Sequence, residues 1–139
     1  MEAKKMITVE TLVNAPVRKV WNTWTNPEDI KKWNSASDDW HTHHATNDLR
    51  EGGRFSSRME SKDGSMGFDF SGTYQKVNEH ELIEYTIDDG RKVKVIFSGD
   101  GDFTKVTESF EAESENPEEM QRGGWQSILD NFKKYVESK

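Results

Sequence analysis

The chain has 139 residues, 26 acidic against 19 basic side chains, no cysteine and five tryptophans. A length of this order closes one hydrophobic core, so a single domain over residues 1–139 is expected, and the lack of cysteine excludes disulfides, thiolate metal sites and a catalytic thiol. The formal net charge of −7 repels a phosphate backbone and no apolar run reaches the roughly 18 residues of a membrane span, so nucleic acid and membrane insertion are not expected and a cytoplasmic location is the default.

Residues 4–13, KKMITVETLV, set Ile7, Val9, Thr11 and Val13 against Met6, Thr8, Glu10 and Leu12, the period of a strand with one face buried. In NAPVRKVWNTWTNPEDIKKW, Asn14 or Ala15 can cap, Pro16 suits a first turn, and Val17, Val20, Trp21 and Trp24 recur at helical spacing, which predicts a short helix over 16–24. Thr25 or Asn26 caps a second short helix that starts at Pro27 and carries Ile30 and Trp33 one turn apart. The next stretch, SDDWHTHHATNDLREGG (37–53), reads as a polar crossover that leads to the following strand.

GGRFSSRME (52–60) and MGFDFSGTYQKV (66–77) read as strands joined by SKDGS, whose Asp63-Gly64 pair favours the positive φ of a hairpin. ELIEYTI (81–87), RKVKVIFS (91–98) and FTKVTESFEA (103–112) continue the meander through the turns DDG and GDGD. After Asn116 and Pro117, a stripe of Trp125, Ile128, Leu129, Phe132, Tyr135 and Val136 predicts a long helix. The order is that of an α+β domain with helices on one face of an antiparallel sheet, and a curved sheet around one amphipathic helix leaves room for a ligand.

The stretches NAPVRKVWNTWTNPEDIKKW, NDLREGGRF, DGSMGFDFSGTYQKV, ELIEYT, DGRKVKVIF and GWQSILDNFKKYVE resemble the homologues of the activator of the ninety-kilodalton heat-shock protein's ATPase. The resemblance spans nearly the whole chain. That family sits in the helix-grip superfamily, beside steroidogenic lipid-transfer domains, polyketide cyclases and birch-pollen allergen relatives. The resemblance implies a sheet of six to seven strands, two short helices after the first strand, and a long C-terminal helix over an internal apolar cavity. It implies guests such as lipids, flavonoid-like or polyketide-like aromatics, with a chaperone ATPase as the alternative partner and a cyclase- or isomerase-like enzyme as a third class.

Period two puts Phe68, Phe70, Gly72 and Tyr74, then Ile83, Tyr85 and Ile87, then Val93, Val95 and Phe97, on the concave face. Trp125, Leu129 and Phe132 face them from the terminal helix. Burial alone accounts for most of such a stripe. Tyr74, Tyr85 and Trp125 lead the candidates for touching a guest, because an aromatic with a polar tip both packs and orients. Trp33, Phe70, Phe97, Leu129 and Phe132 complete the apolar set. Glu108 lies between Val106 and Phe110 on an inward face, where a carboxylate must find a donor or become neutral. It is therefore a candidate anchor or proton-transfer group, unless a bulge turns it to solvent.

Arg50 is a candidate clamp for a guest carboxylate or carbonyl at the cavity mouth, or else a surface ion pair. Trp40 and His41 are placed at the same entrance. On extended backbone His41 and His43 point one way and His44 the other, so two at most share a metal and Asp38, Asp39 or His80 would have to complete it. None of the familiar zinc spacings occurs, and neither a metal nor any other cofactor is expected. His41 beside Asp38 or Asp39 is the second acid–base candidate, after Glu108. The reading is a monomer or weak homodimer that binds a hydrophobic or aromatic small molecule, with no catalysis established.

Overall fold

The structure is a computed structural model that describes residues 5–35 and 37–138. β1 (Met6–Val13) leads into α1 (Val17–Thr25) and α2 (Pro27–Trp33). Six strands follow in sequence: β2 (Trp40–Asn47), β3 (Arg54–Ser61), β4 (Gly67–Asn78), β5 (Leu82–Ile87), β6 (Lys92–Asp100) and β7 (Phe103–Glu111). α3 (Glu118–Ser138) comes last. The sheet order is β1-β7-β6-β5-β4-β3-β2, and every pairing is antiparallel. This is the α+β helix-grip arrangement that the sequence resemblance implies.

The helical elbow forms where the prolines place it. Pro16 stands directly before α1, and Asn26 caps α2 by accepting from Glu28 N at 3.0 Å, with Pro27 as the first helical residue. The Thr23 and Thr25 hydroxyls donate back to the carbonyls of Lys19 and Trp21 at 2.8 and 2.9 Å, which closes the last turn of α1.

One expectation fails here. Residues 40–47 do not form a loop but the edge strand β2, paired with β3 from Trp40↔Ser61 to Asn47↔Phe55. Its pattern is hidden because its outward side chains are polar and, of its inward ones, Thr42 and Ala45 are small and Asn47 is polar, which leaves Trp40 at its start as the one large apolar side chain. A bulge between Thr42 and His44 also breaks the period of two. A second bulge, between Tyr74 and Lys76, bends β4 against β5. Together the bulges help curl the sheet.

α3 lies across the concave face, held at both flanks. Arg122 Nη1 and Gln126 Nε2 each donate at 3.2 Å to carbonyls of β1, those of Thr8 and Glu10. On the other flank Asn131 Nδ2 donates to Trp33 O at 2.8 Å and Tyr135 to Asp29 at 2.6 Å. Ile7, Val13, Val95, Val106 and Phe110 from the sheet are sealed against Leu129, Phe132 and Val136 of α3. Each such side chain contributes about 1.5–3 kcal/mol through burial. Around α1 and α2 the packing is ring on ring: Trp24 and Trp33 each meet Phe132 at 4.9 Å, and Trp21 meets Phe97 at 5.1 Å. The Trp33 indole N–H donates to Thr23 O at 3.0 Å, so this aromatic block leaves no polar tip of that side chain unsatisfied. No described helix is long and apolar enough to cross a membrane.

Candidate functional site

Beyond this block the helix and sheet separate around a cavity of about 530 Å³. Three alternating residues of β3, Phe55, Ser57 and Met59, form one wall, and Phe68, Phe70 and Tyr74 of β4 with Ile83 and Tyr85 of β5 continue it. Ile30 and Trp33 of α2 and Trp125 and Ile128 of α3 face them, with Arg91 and Glu108 at the sheet side and Glu113 and Asn116 before α3. The rings brace one another. Phe55 meets Tyr85 at 4.8 Å edge-on and Tyr74 at 5.3 Å, while Trp125 stacks on Phe110 at 3.9 Å and stands edge-on to Phe70 at 6.1 Å. Gly72 is required beneath them: a Cβ there would lie 2.9 Å from the Phe55 ring and 2.5 Å from Thr86 O.

The polar groups of the wall fall into two kinds. Tyr74 is satisfied, since its hydroxyl donates to Asn47 Oδ1 at 2.5 Å and Asn47 Nδ2 in turn donates to Thr25 O at 2.7 Å. Burial pushes the Tyr74 phenol well above its ordinary range, and burial, with a contribution from Glu108, does the same to Tyr85. Both stay protonated donors. Arg91 Nε is held by Asp89 Oδ2 at 2.8 Å, which turns the guanidinium along the wall.

Glu108 is of the second kind. Its cross-strand neighbours are Val9 on β1 and Val95 on β6, and Val106 and Phe110 flank it along its own face. It is 6% exposed, and its carboxyl forms no hydrogen bond or ion pair among the described residues. Burial raises its pKa from 4.5 to about 8, so at neutral pH the group is mainly the neutral acid. Among the described side chains no polar atom is both sealed and without a partner. The unpaired carboxyl therefore opens onto the cavity.

Trp33, Phe70, Tyr74, Tyr85, Trp125 and Glu108 thus line one space. Phe97, Leu129 and Phe132 do not: they are 4%, 1% and 0% exposed and belong to the packed block, because the two short helices fill the groove at that end. Arg50 takes the surface alternative, its Nε pairing with the neighbouring Asp48 at 3.0 Å. Trp40 stands beside the lining rather than in it, its ring 5.9 Å from that of Phe68. His41 points away from the cavity. Thr42 next to it is buried on the inner side with its hydroxyl on Asn34 O, whereas His41 Nε2 lies 4.0 Å from Glu60 Oε1. Asp38 and Asp39 are exposed, and His80, at φ 67°, packs edge-on against Trp21 at 6.0 Å, apart from the other histidines. Phe55 and Met59 also line the cavity, and the alternation of RFSSRM is the sequence signal that marks them. Arg91 had no periodic signal, because a turn and Asp89 place it.

The family model described as Activator of Hsp90 ATPase homolog 1-like protein matches residues 14–137. The solution structure of the AHSA1-like protein from Aeromonas hydrophila is 44% identical, with a TM-score of 0.91 over 96% of this chain and 93% of that one. A protein from Cytophaga hutchinsonii, also solved in solution, is 52% identical, with a TM-score of 0.82 over 95% and 92% of the two chains. A crystal structure of a Nitrosomonas europaea protein at 21% identity shares the fold, with a TM-score of 0.84 over 99% of this chain and 97% of that one. No curated protein matches the sequence.

Proposed function

The chain belongs to the family of Activator of Hsp90 ATPase homolog 1-like proteins, and from that premise we propose that its cavity binds a hydrophobic or aromatic small molecule that hydrogen-bonds to Glu108. The observation that carries this reading is the lone carboxyl opening on an aromatic wall. An unsatisfied polar group in an apolar site costs about 1–3 kcal/mol, and a guest that supplies a hydroxyl or carbonyl oxygen to the neutral acid relieves it. The rings of Phe55, Phe70, Tyr85 and Trp125 give flat apolar contact, and Arg91 offers a further donor at the same wall. A volume of about 530 Å³ lies within the usual range of ligand pockets. A lipid-, flavonoid- or polyketide-like compound with one buried oxygen meets these requirements.

The test is an NMR and thermal-shift screen of those three compound classes. The expected result is a saturable series of shifts at β3, β4, β5, β7 and α3, with binding to Glu108→Gln weakened roughly 5–30-fold, the equivalent of one to two kcal/mol. Shifts confined to the outer face, or no saturation by any class, would end this reading. The family's description also brings in a chaperone ATPase as a partner. On the outer face exposed Leu12 stands opposite Lys105 and two residues from Glu10, and exposed Ile96 meets Leu82 on one side but Thr107 on the other, with Lys94 and Ser98 along its own strand. The apolar groups there are scattered, so the cavity is the firmer ground. Capture of an Hsp90-type ATPase by the purified protein would reverse that order.

A further inference from the structure

On the outer face of the same sheet, we propose that His41, His43 and Glu60 form a binding site for a divalent transition-metal ion of the zinc type. One nitrogen from each histidine and one carboxylate oxygen all lie within 4.8 Å of one another. The register brings them together: His41 is paired with Glu60 across β2 and β3, and His43 is the extra residue of the bulge between Thr42 and His44. Its ring centroid lies 6.0 Å from that of His41, with the planes 36° apart. Spacing along the chain offers two ligands, and strand pairing supplies the third.

The surroundings of Glu60 fit this role. In register it faces Gly67 on its other side, and a Cβ at that position would lie 3.2 Å from Glu60 Cγ and 2.8 Å from Arg58 Nη2. The bare glycine leaves the room in which the Arg58 guanidinium and the stem of Glu60 lie side by side. Its oxygens are divided, with Oε1 4.0 Å from His41 Nε2 and Oε2 3.5 Å from Arg58 Nε. Arg58 also reaches Asp69 at 3.5 Å, so two carboxylates share one guanidinium and a negative charge is left over for a cation.

Two imidazoles and a carboxylate suit zinc, nickel or copper, whereas magnesium and calcium favour oxygen donors throughout. Bonds of about 2.0–2.2 Å in tetrahedral geometry require donors about 3.4 Å apart. Rotation of the exposed His41 and His43 and the half-buried Glu60 about their own torsions would close that gap. Three protein ligands leave a coordination position for water. The ion would fasten the edge strand to β3 across its bulge, one residue from Trp40.

The experiment uses tag-free protein stripped with a chelator, titrated with zinc chloride by calorimetry and followed by amide NMR. One equivalent should saturate at micromolar zinc, shift residues 40–44 and 58–60, and be unaffected by His44→Ala, with magnesium chloride giving no saturation. His41→Ala, His43→Ala and Glu60→Gln should each weaken zinc binding roughly tenfold or more with melting curves of the zinc-free protein unchanged. No saturation below about 100 μM zinc, or equal losses in His44→Ala and His41→Ala, would overturn the assignment.

Discussion

Two aromatic regions share the interior of this protein and differ in what they do with space. Around Phe132 the indoles of Trp24 and Trp33 close at 4.9 Å, and the Trp33 indole N–H is spent on a backbone carbonyl. Around Phe55 and Tyr85 the rings brace one another at similar distances yet border a cavity, and a carboxyl is left without a partner. Aromatic content is therefore not what makes a pocket. The difference lies in α1 and α2, which fill one end of the grip and not the other, and in the polar tips that the open end retains.

The largest expected effect comes from the unpaired group of the open region. Because the folded state holds Glu108 at a pKa of about 8 against 4.5 ordinarily, the fold binds more protons than the unfolded chain between those values. Its contribution is complete below about pH 4.5 and is lost as the pH rises through 8. At about 1.4 kcal/mol per unit the loss is on the order of 5 kcal/mol. Glu108→Gln should remove that slope in denaturant melts across the window. Parallel pH curves for the two proteins would show that the carboxyl is already relieved within the fold.

Next in size is the closed region. Phe132→Ala should cost about 3–5 kcal/mol, whereas Phe70→Ala, half-buried and facing a void, should cost roughly 1–2 kcal/mol. Equal losses would erase the distinction between the two regions. Tyr74→Phe removes one hydrogen bond to Asn47 and should lower stability by about 1 kcal/mol. Arg50→Ala should change stability by less than about 0.5 kcal/mol and leave guest binding intact, as its surface pairing requires. A tenfold loss of guest affinity in that variant would restore it to the mouth.

The sequence makes the faces of elements legible, but not the depth along each face. Alternation in FDFSGTY and LIEYT assigns Phe70, Tyr74 and Tyr85 to the concave side, and the same pattern exposes Glu108 as an anomaly. It cannot show that Phe97, Leu129 and Phe132 lie where helices fill the groove, because that depends on the elbow docking at one end. β2 escapes notice for a different reason. An edge strand needs little apolar area, and with Thr42 and Ala45 inward, three histidines near one bulge carry no hydrophobic period. Pairing with β3 also decides which way His41 faces, information that no local stretch contains.

The clasp between α3 and β1 also bears on how the protein behaves among its own copies. An edge strand with free carbonyls is a template on which another chain can add, the first step of sheet growth between molecules. The donors Arg122 and Gln126 occupy two such carbonyls, those of Thr8 and Glu10, and the helix that carries them stands in the way of an approaching strand. Fastening the helix over the sheet thus also blunts one end of it against self-association.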